Sequence, residues 1–241
     1  MIFRAHVLGS VTNAYRDMSE YFRDIRSFFE VISVRLSIAE YGVRLRAIAG
    51  NELSSNANSY LLSDDSSYPY YLWLPTWLGR FYIDPDRLPA GTPIDDCPTA
   101  QARLIAFVWP WLGFNDAYVN DADQPECWFG VTIPRPGDPN ERVHTTANTI
   151  FNHFRIERTC ESETEGWLTG GFRRNEIGCD LHGHWYMRRA PLATLTSYYQ
   201  VEQHIIRPLG EKFSELAAIP DSSSAPPAVV VNNRVIEQIP R

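Results

Sequence analysis

Two apolar runs separated by an acidic segment constrain the fold of this chain more than any other feature of its sequence. The runs span residues 104–112 and 127–133, and the polar segment between them contains several carboxylates, among them Asp116 and Asp121. Each run is too short for a long helix, and each is rich in residues that favour β-structure. We therefore predict two neighbouring antiparallel strands at the centre of a sheet, joined by an acidic loop. Phe107 is expected to be buried on the first strand and Phe129 on the second.

Three other segments have apolar residues at helical spacing. They predict a long helix over residues 11–49 with a break near Gly42, a helix over Val143–Ile156, and a long helix over residues 192–218 that bends at Pro208. The apolar stripe of the last helix contains Leu195, Tyr198 or Tyr199, Val201 or Glu202, Ile205, Leu209, Phe213 and Leu216. Because helices and strands are segregated along the chain, the sequence predicts an α+β fold. Its central sheet is expected to be mixed or mostly antiparallel, flanked by the long N-terminal helix and the long C-terminal helix.

The remaining segments predict a hairpin, further strands and connections. Residues 166–172 and 177–187 have the pattern of a hairpin that turns around residues 174–175, and the aromatic residues 68–84 suggest two short strands or a strand and a turn. Four prolines in residues 85–98 indicate an extended surface connection. Residues 161–165 indicate an acidic turn.

The composition of the C-terminal residues differs from that of the rest of the chain. Residues 220–241 begin with a Ser- and Pro-rich linker that precedes two short apolar segments. We expect residues 1–219 to form one α+β domain, with residues 220–241 as a linker and tail that docks on the body or on a partner.

Composition and charge narrow the classes of function. Hydrophobic residues make up 44% of the 241 residues, and the formal net charge is −7, which weighs against a general nucleic-acid binder. No apolar run is long enough to span a membrane, and we see no signal peptide. Four widely spaced cysteines, at positions 97, 127, 160 and 179, predict reduced thiols, although a single disulfide stays an alternative. We therefore expect a cytoplasmic protein.

The local pattern that most resembles a site of chemistry lies at residues 180–184. On a strand, Asp180, His182 and His184 share one face, and Asp and His side chains are suitable ligands for a divalent metal, with a further ligand from the acidic loop. This pattern supports a metal-dependent hydrolase or nuclease-like enzyme as one alternative. The simpler interpretation is a polar strand face with hydrogen-bonded or solvated histidines, for which we expect no cofactor and no tightly bound metal.

A second pattern combines arginine with aromatic residues in the third quarter of the chain. Arg173, Arg174, Arg188, Arg189 and Trp185 are the residue types that bind single-stranded nucleic acid or an acidic protein surface. They support a nucleic-acid-binding module as another alternative. Because five glutamates lie nearby in sequence, local ion pairing is the simpler interpretation.

Several catalytic motifs are absent from the sequence. It contains no P-loop, no G-x-G-x-x-G after a strand and no G-x-S-x-G, and its only lysine, Lys212, falls in a predicted helix rather than in a nuclease motif. The first hypothesis is therefore a non-enzymatic interaction or regulatory protein. Its expected partner is another protein or a second copy of the chain, with nucleic acid less favoured and no membrane involved.

Overall fold

The computed structural model describes residues 5–48, 53–54, 78–111, 125–156, 162–172 and 181–219. The helices are α1 (Ala5–Leu36), α2 (Thr99–Ala102), α3 (Val143–Ile156), α4 (Tyr198–Val201) and α5 (Arg207–Ala217). The strands are β1 (Arg46–Ala47), β2 (Leu53–Ser54), β3 (Leu78–Ile83), β4 (Ile105–Trp111), β5 (Glu126–Pro136), β6 (Ser162–Thr164), β7 (Trp167–Gly171) and β8 (Leu181–Pro191).

The strands form an antiparallel sheet in the order β1-β3-β4-β5-β8-β7-β6, and β2 also pairs with β3. Strand β5 is central and long, and it pairs with β8 from Glu126 opposite Pro191 to Pro136 opposite Leu181. The predicted mixture of helices with a mostly antiparallel sheet is therefore confirmed.

The predicted central pair of strands is also confirmed. Strands β4 and β5 pair antiparallel, and the buried Phe107 lies opposite Gly130. A Cβ atom at Gly130 would lie 2.8 Å from the Phe107 ring of β4 and 2.0 Å from the backbone oxygen of Tyr186 in β8, so only glycine fits at this position of β5. Pairing of β4 with β3 stops at Val108, two residues before Pro110, so the missing N–H of proline removes no hydrogen bond from that ladder.

Alternating side chains divide the sheet into two faces, each with its own core. The first face carries Tyr82, Ala106, Val108, Phe129 and Val131, and the side chains packed with it come from α1, α4, α5 and the segment between these last two helices. The second face carries Phe81, Ile83, Ile105, Phe107 and Trp109, and its core includes buried side chains of α3. Strands β4 and β5 are buried on both faces, which explains why their sequences are nearly continuously apolar.

The predicted first helix is too long at its C-terminal end. Helix α1 ends at Leu36, and the chain then reverses through Ala39 and Gly42, which have φ values of 58° and 80°. Positive φ is incompatible with a continuing right-handed helix. Of the residues that follow Gly42, Arg46–Ala47 form the short strand β1 instead.

The strand pairing of the predicted hairpin is confirmed, its turn at residues 174–175 lies outside the described residues, and a smaller hairpin beside it was missed. Strand β7 pairs with β8 from Leu168 opposite Met187 to Gly171 opposite His184. The segment predicted as an acidic turn forms β6, which pairs with β7 across Glu165 and Gly166 at φ values of 53° and 74°. The prediction failed because β6 has only three residues, all of them exposed.

The C-terminal helical segment begins later than predicted. Residues Leu192–Thr194 form a separate 3₁₀ turn, and Ser197 caps α4 by accepting a hydrogen bond from the backbone N–H of Gln200. Between α4 and α5 the helix widens into a π turn, Glu202–Ile206, which ends two residues before Pro208. Proline has no N–H to donate and its ring crowds the preceding turn, so the widened turn accommodates it without ending the helix.

The connection over residues 85–98 is less extended than predicted, because it contains the 3₁₀ turns Pro85–Arg87 and Ile94–Asp96. Asp84 caps the first of these turns by accepting from the backbone N–H of Asp86. Of the predicted aromatic strands in residues 68–84, the described part is β3. The acidic loop and the tail over residues 220–241 lie outside the described residues.

Candidate functional site

A buried carboxylate joins the end of α1 to the C-terminal helical segment. Glu202, the first residue of the π turn, is 7% exposed. It accepts hydrogen bonds from Nε and Nη2 of Arg35, at 3.0 and 3.4 Å, and from the hydroxyls of Tyr41 and Tyr198, the latter at 3.3 Å. Arg35 also pairs with Glu40. We call Glu202, Arg35, Tyr41 and Tyr198 the Glu202 cluster.

The electrostatics of the cluster favour the charged form of Glu202. Burial by itself raises the pKa of Glu202, but the hydrogen bonds from Arg35 and Tyr41 outweigh burial, so the pKa lies below its ordinary value. Burial, followed by the bond to Glu202, raises the pKa of Tyr41. Since both carboxylate oxygens already accept hydrogen bonds, the cluster is suited to holding the two helical segments together rather than to removing a proton from a substrate.

Large hydrophobic side chains are exposed at or near the sequence positions of this cluster. Val34 is 62% exposed, Ile38 52%, Tyr198 52% and Tyr199 70%, which makes four of the five exposed large hydrophobic residues in the described part of the chain. Val34 and Ile38 lie within one turn of Arg35 in sequence, and the Arg35 guanidinium lies 5.9 Å from the centre of the Tyr198 ring. We call these four residues the Arg35 patch. An exposed cluster of this kind, unlike a single exposed apolar residue, indicates a surface for binding.

The sequence contained a signal for this patch that our prediction missed. One of Tyr198 and Tyr199 was expected in the core stripe of a long helix, whereas both are exposed. Ser197 and Gln200 have the S-x-x-Q spacing of a helix start, and this places both tyrosines in the first turn. Helix positions before the first core residue, Val201, are free to face outward.

The structure places two of the three predicted metal ligands. His182 is exposed and His184 is partly exposed in β8, where strand alternation assigns both to the first face, together with Tyr186. Asp180 lies outside the described residues. No group of three or more His, Cys, Asp or Glu side chains arranged for a metal ion occurs within the described ranges. The metal site therefore stays a prediction.

The predicted arginine and aromatic residues do not share one surface where they are described. Arg188 stacks at 4.6 Å on Trp167, which belongs to the first core, and Arg189 stacks at 5.1 Å on Trp128, which belongs to the second. Trp185 is 2% exposed in the second core. Outside the described residues lie Arg173 and Arg174. The structure thus separates the described arginines by the thickness of the sheet.

The single lysine has a structural role at the edge of the first core. Lys212 Nζ lies 2.9 and 3.0 Å from the two carboxylate oxygens of Glu215, and 4.7 Å from the centre of the Tyr186 ring. It also lies 5.8 Å from the centre of the Trp167 ring. Aromatic rings and a carboxylate around an ammonium group stabilise its charge, so this cation is already paired within the protein.

The described cysteines are poor candidates for nucleophiles. Burial raises the pKa of Cys127, whose side chain is enclosed in the first core, and burial also raises the pKa of Cys97 in the second core. A thiol is reactive as its thiolate, and a raised pKa keeps it protonated. Cys160 and Cys179 lie outside the described residues.

None of the helices in the described ranges combines the length and the apolar character needed to cross a bilayer. Comparison with models of protein families, with curated proteins and with solved structures found no match.

Proposed function

We propose that this chain is a non-enzymatic interaction or regulatory protein that binds another protein through the Arg35 patch. The observation that supports the proposal is the exposure of four large hydrophobic residues near Arg35. Tyr198 contacts the Arg35 guanidinium, Val34 and Ile38 lie within one turn of Arg35 in sequence, and Tyr199 follows Tyr198 in α4. Tyrosine and arginine are the residue types that contribute most to binding energy at protein interfaces, because they combine a large contact area with a polar group.

The Glu202 cluster, which shares Tyr198 with the patch, also supports the proposal. Arg35 and Tyr198 are each bonded to the buried carboxylate, so their side chains are fixed before any partner arrives. A surface that is already ordered loses little side-chain entropy on binding. Fixed aromatic and guanidinium groups are therefore better suited to recognition than mobile ones.

The proposal treats residues 1–219 as one cytoplasmic domain in which the long N-terminal and C-terminal helices flank the sheet, with residues 220–241 as a tail. Side chains from both helical segments contribute to the first core, and this supports the arrangement. The partner in this proposal is another protein, and a second copy of the chain is the alternative.

Site-specific photo-crosslinking in cells tests the proposal. A photoreactive phenylalanine derivative replaces Tyr199 in one variant and Gln101, an exposed residue in α2, in a matched control variant. We expect a discrete crosslinked product from position 199 and none from position 101. A product of twice the mass of the chain identifies a second copy as the partner. The absence of any product at 199, or equal products at both positions, would contradict the proposal.

A further inference from the structure

Helix α1 begins well before the point at which its described side chains enter the first core. Among the side chains that the structure describes, the α1 residues of that core begin at Tyr21 and end at Leu36. Burial, together with the nearby thiol of Cys127, raises the pKa of Tyr21, so this tyrosine lies close to the start of β5. Residues 5–20 precede it and form about 24 Å of helix, at 1.5 Å for each residue.

The buried residues of α1 follow a heptad repeat, in which apolar residues alternate at spacings of three and four. Ile25, Phe29, Ile32 and Leu36 occupy its a and d positions, and all four are buried. At the outward b, c and f positions of α1, the residues whose side chains are described are exposed, apart from the partly buried Val31. The structure thus establishes the register of the repeat in the C-terminal half of the helix.

The same repeat continues without a break through the N-terminal half of α1. In the sequence, the a and d positions ahead of Ile25 hold Phe22, Met18, Tyr15, Val11 and Leu8. The complete seam from Leu8 to Leu36 covers about four heptads, a length that favours a coiled coil. Burial of the C-terminal half in the first core accounts for the heptad positions from Ile25 onward, and the five earlier positions call for a second helix with the same spacing.

We infer that residues 8–22 of α1 pair with the same residues of a second copy of this chain in an antiparallel coiled coil. Two identical seams complement each other about a two-fold axis, which is the commonest symmetry of protein dimers. In the antiparallel register that places a opposite d, Val11 meets the second copy's Phe22, and Tyr15 meets its Met18. Each layer therefore combines one aromatic ring with an aliphatic or thioether side chain, which packs well against it.

The position of the body, meaning the sheet with its other helices, selects the antiparallel orientation. Ile25, Phe29 and Ile32 pack against the sheet in the first core, so the body lies on the same side of α1 as the seam. In a parallel pair, both bodies would lie between the two helices at the same end and would occupy the same space. In an antiparallel pair, the bodies lie at opposite ends, with the paired segments between them.

Charge neither favours nor opposes this pairing. The positions that flank the seam within residues 8–22 are e and g, and they hold the uncharged Thr12, Ala14, Ser19 and Tyr21. The charged residues of the segment lie at outward positions and include both signs. Association therefore depends on apolar contact along the seam.

The seam supplies enough apolar area for a stable dimer. A buried aromatic side chain contributes about 150–250 Å², so Tyr15 and Phe22 from two copies contribute about 600–1,000 Å². The aliphatic and thioether residues of the seam raise the total above the roughly 1,000 Å² that a specific interface requires.

This dimer goes beyond the partner proposed for the Arg35 patch, because it uses a different part of α1. The paired segment ends at Phe22, about 18 Å of helix before Val34. The patch therefore stays free in the dimer, and the crosslink at position 199 judges the proposed function separately.

Analytical ultracentrifugation of the full chain at micromolar concentration tests the dimer. The test variant combines Tyr15→Ser with Met18→Ser, and the matched control combines Arg16→Ser with Glu20→Ser at exposed, outward positions. Both variants place two serines in the same part of α1 and keep the net charge. We expect the control to dimerise within about twofold of the wild type, and the dissociation constant of the test variant to be at least about tenfold weaker.

Crosslinking in the otherwise unchanged chain determines the orientation and does not depend on the folding of the serine variants. A photoreactive phenylalanine derivative replaces Phe22, and trypsin digestion of the product of twice the mass of the chain locates the crosslink. An antiparallel pair joins position 22 to the tryptic peptide of residues 5–16, whereas a parallel pair joins it to the peptide of residues 17–23. We expect the crosslink in residues 5–16.

Several outcomes would overturn the inference. They are a monomeric wild type, a test variant that dimerises as tightly as the control, and a crosslinked dimer joined through residues 17–23. A crosslink from position 22 within a single chain, with no product of twice its mass, would show that another segment of the same chain covers the seam. That result, or the absence of any crosslink, would also refute the dimer.

Discussion

Replacement of Glu202 by glutamine tests whether the Glu202 cluster holds α1 to the C-terminal helical segment. Glutamine preserves the size of the side chain but removes the negative charge to which Arg35, Tyr41 and Tyr198 donate hydrogen bonds. A hydrogen bond to a charged group contributes about 1.5–3 kcal/mol, and bonds to one carboxylate are not additive. We therefore expect the free energy of unfolding at pH 7 to fall by about 2–4 kcal/mol. Each kcal/mol corresponds to about 2–4 °C in melting temperature for a chain of this size.

The effect of Glu202→Gln on the free energy of unfolding should depend on pH. The pKa of Glu202 is lower in the folded protein than in the unfolded chain, so its contribution is complete above the unfolded pKa of about 4.3. That contribution is lost as the pH falls through the lower, folded pKa. The difference in stability between the wild type and Glu202→Gln is therefore constant from pH 7 to pH 5 and shrinks below about pH 4.

Urea unfolding followed by circular dichroism at several pH values measures both effects. The control is Glu30→Gln, which removes the partner of Arg26 in a salt bridge whose side chains are 80% and 60% exposed. Such a pair contributes little, so the control should unfold like the wild type. If the free energy of unfolding of Glu202→Gln equals that of the wild type at pH 7, or if the difference is undiminished at pH 3, the cluster does not hold α1 to the C-terminal helical segment.

Three further predictions concern the core, metal and nucleic acid. Phe107→Ala should lower the free energy of unfolding by about 3–5 kcal/mol, because the ring is fully buried against Gly130, and an unchanged melting temperature would mean that the central pairing is wrong. Elemental analysis after exhaustive dialysis should find no stoichiometric metal; one equivalent that is lost in His182→Ala would instead favour the hydrolase. Gel-shift titration at physiological salt should show no general affinity for duplex DNA, and tight, salt-sensitive binding abolished by Arg173→Glu with Arg174→Glu would refute this.

The sequence was sufficient to predict those strands and helices that a single local pattern of apolar residues determines. The apolar runs around Phe107 and Phe129 predicted the central strands because strands buried on both faces need continuous apolar residues. The period of residues Val143–Ile156 predicted α3 with its observed bounds, since one side of that helix packs on the second face.

The predictions failed where the chain changes direction or where distant residues meet. Ala39 adopts a positive φ that no propensity of alanine indicates, so the end of α1 was placed too late. The bonds from Arg35 and Tyr41 to Glu202 join residues 167 and 161 positions apart in sequence, and helical periodicity offered Glu202 only as an alternative to Val201 in a core stripe. Periodicity indicates which residues are buried, but it does not indicate which charged side chains pair with each other. The Arg35 patch depends on the pairing of Arg35 with Glu202.

The most direct test of the central claim, that the Arg35 patch is covered by a protein partner, is hydroxyl-radical footprinting of the chain in cells and after purification. Tyr198 and Tyr199 are 52% and 70% exposed, and Ile219, 45% exposed at the other end of the C-terminal helical segment, is the internal reference. We predict that oxidation of the two tyrosines relative to Ile219 is several-fold lower in cells than in the purified protein. Equal relative oxidation in both samples would contradict the claim.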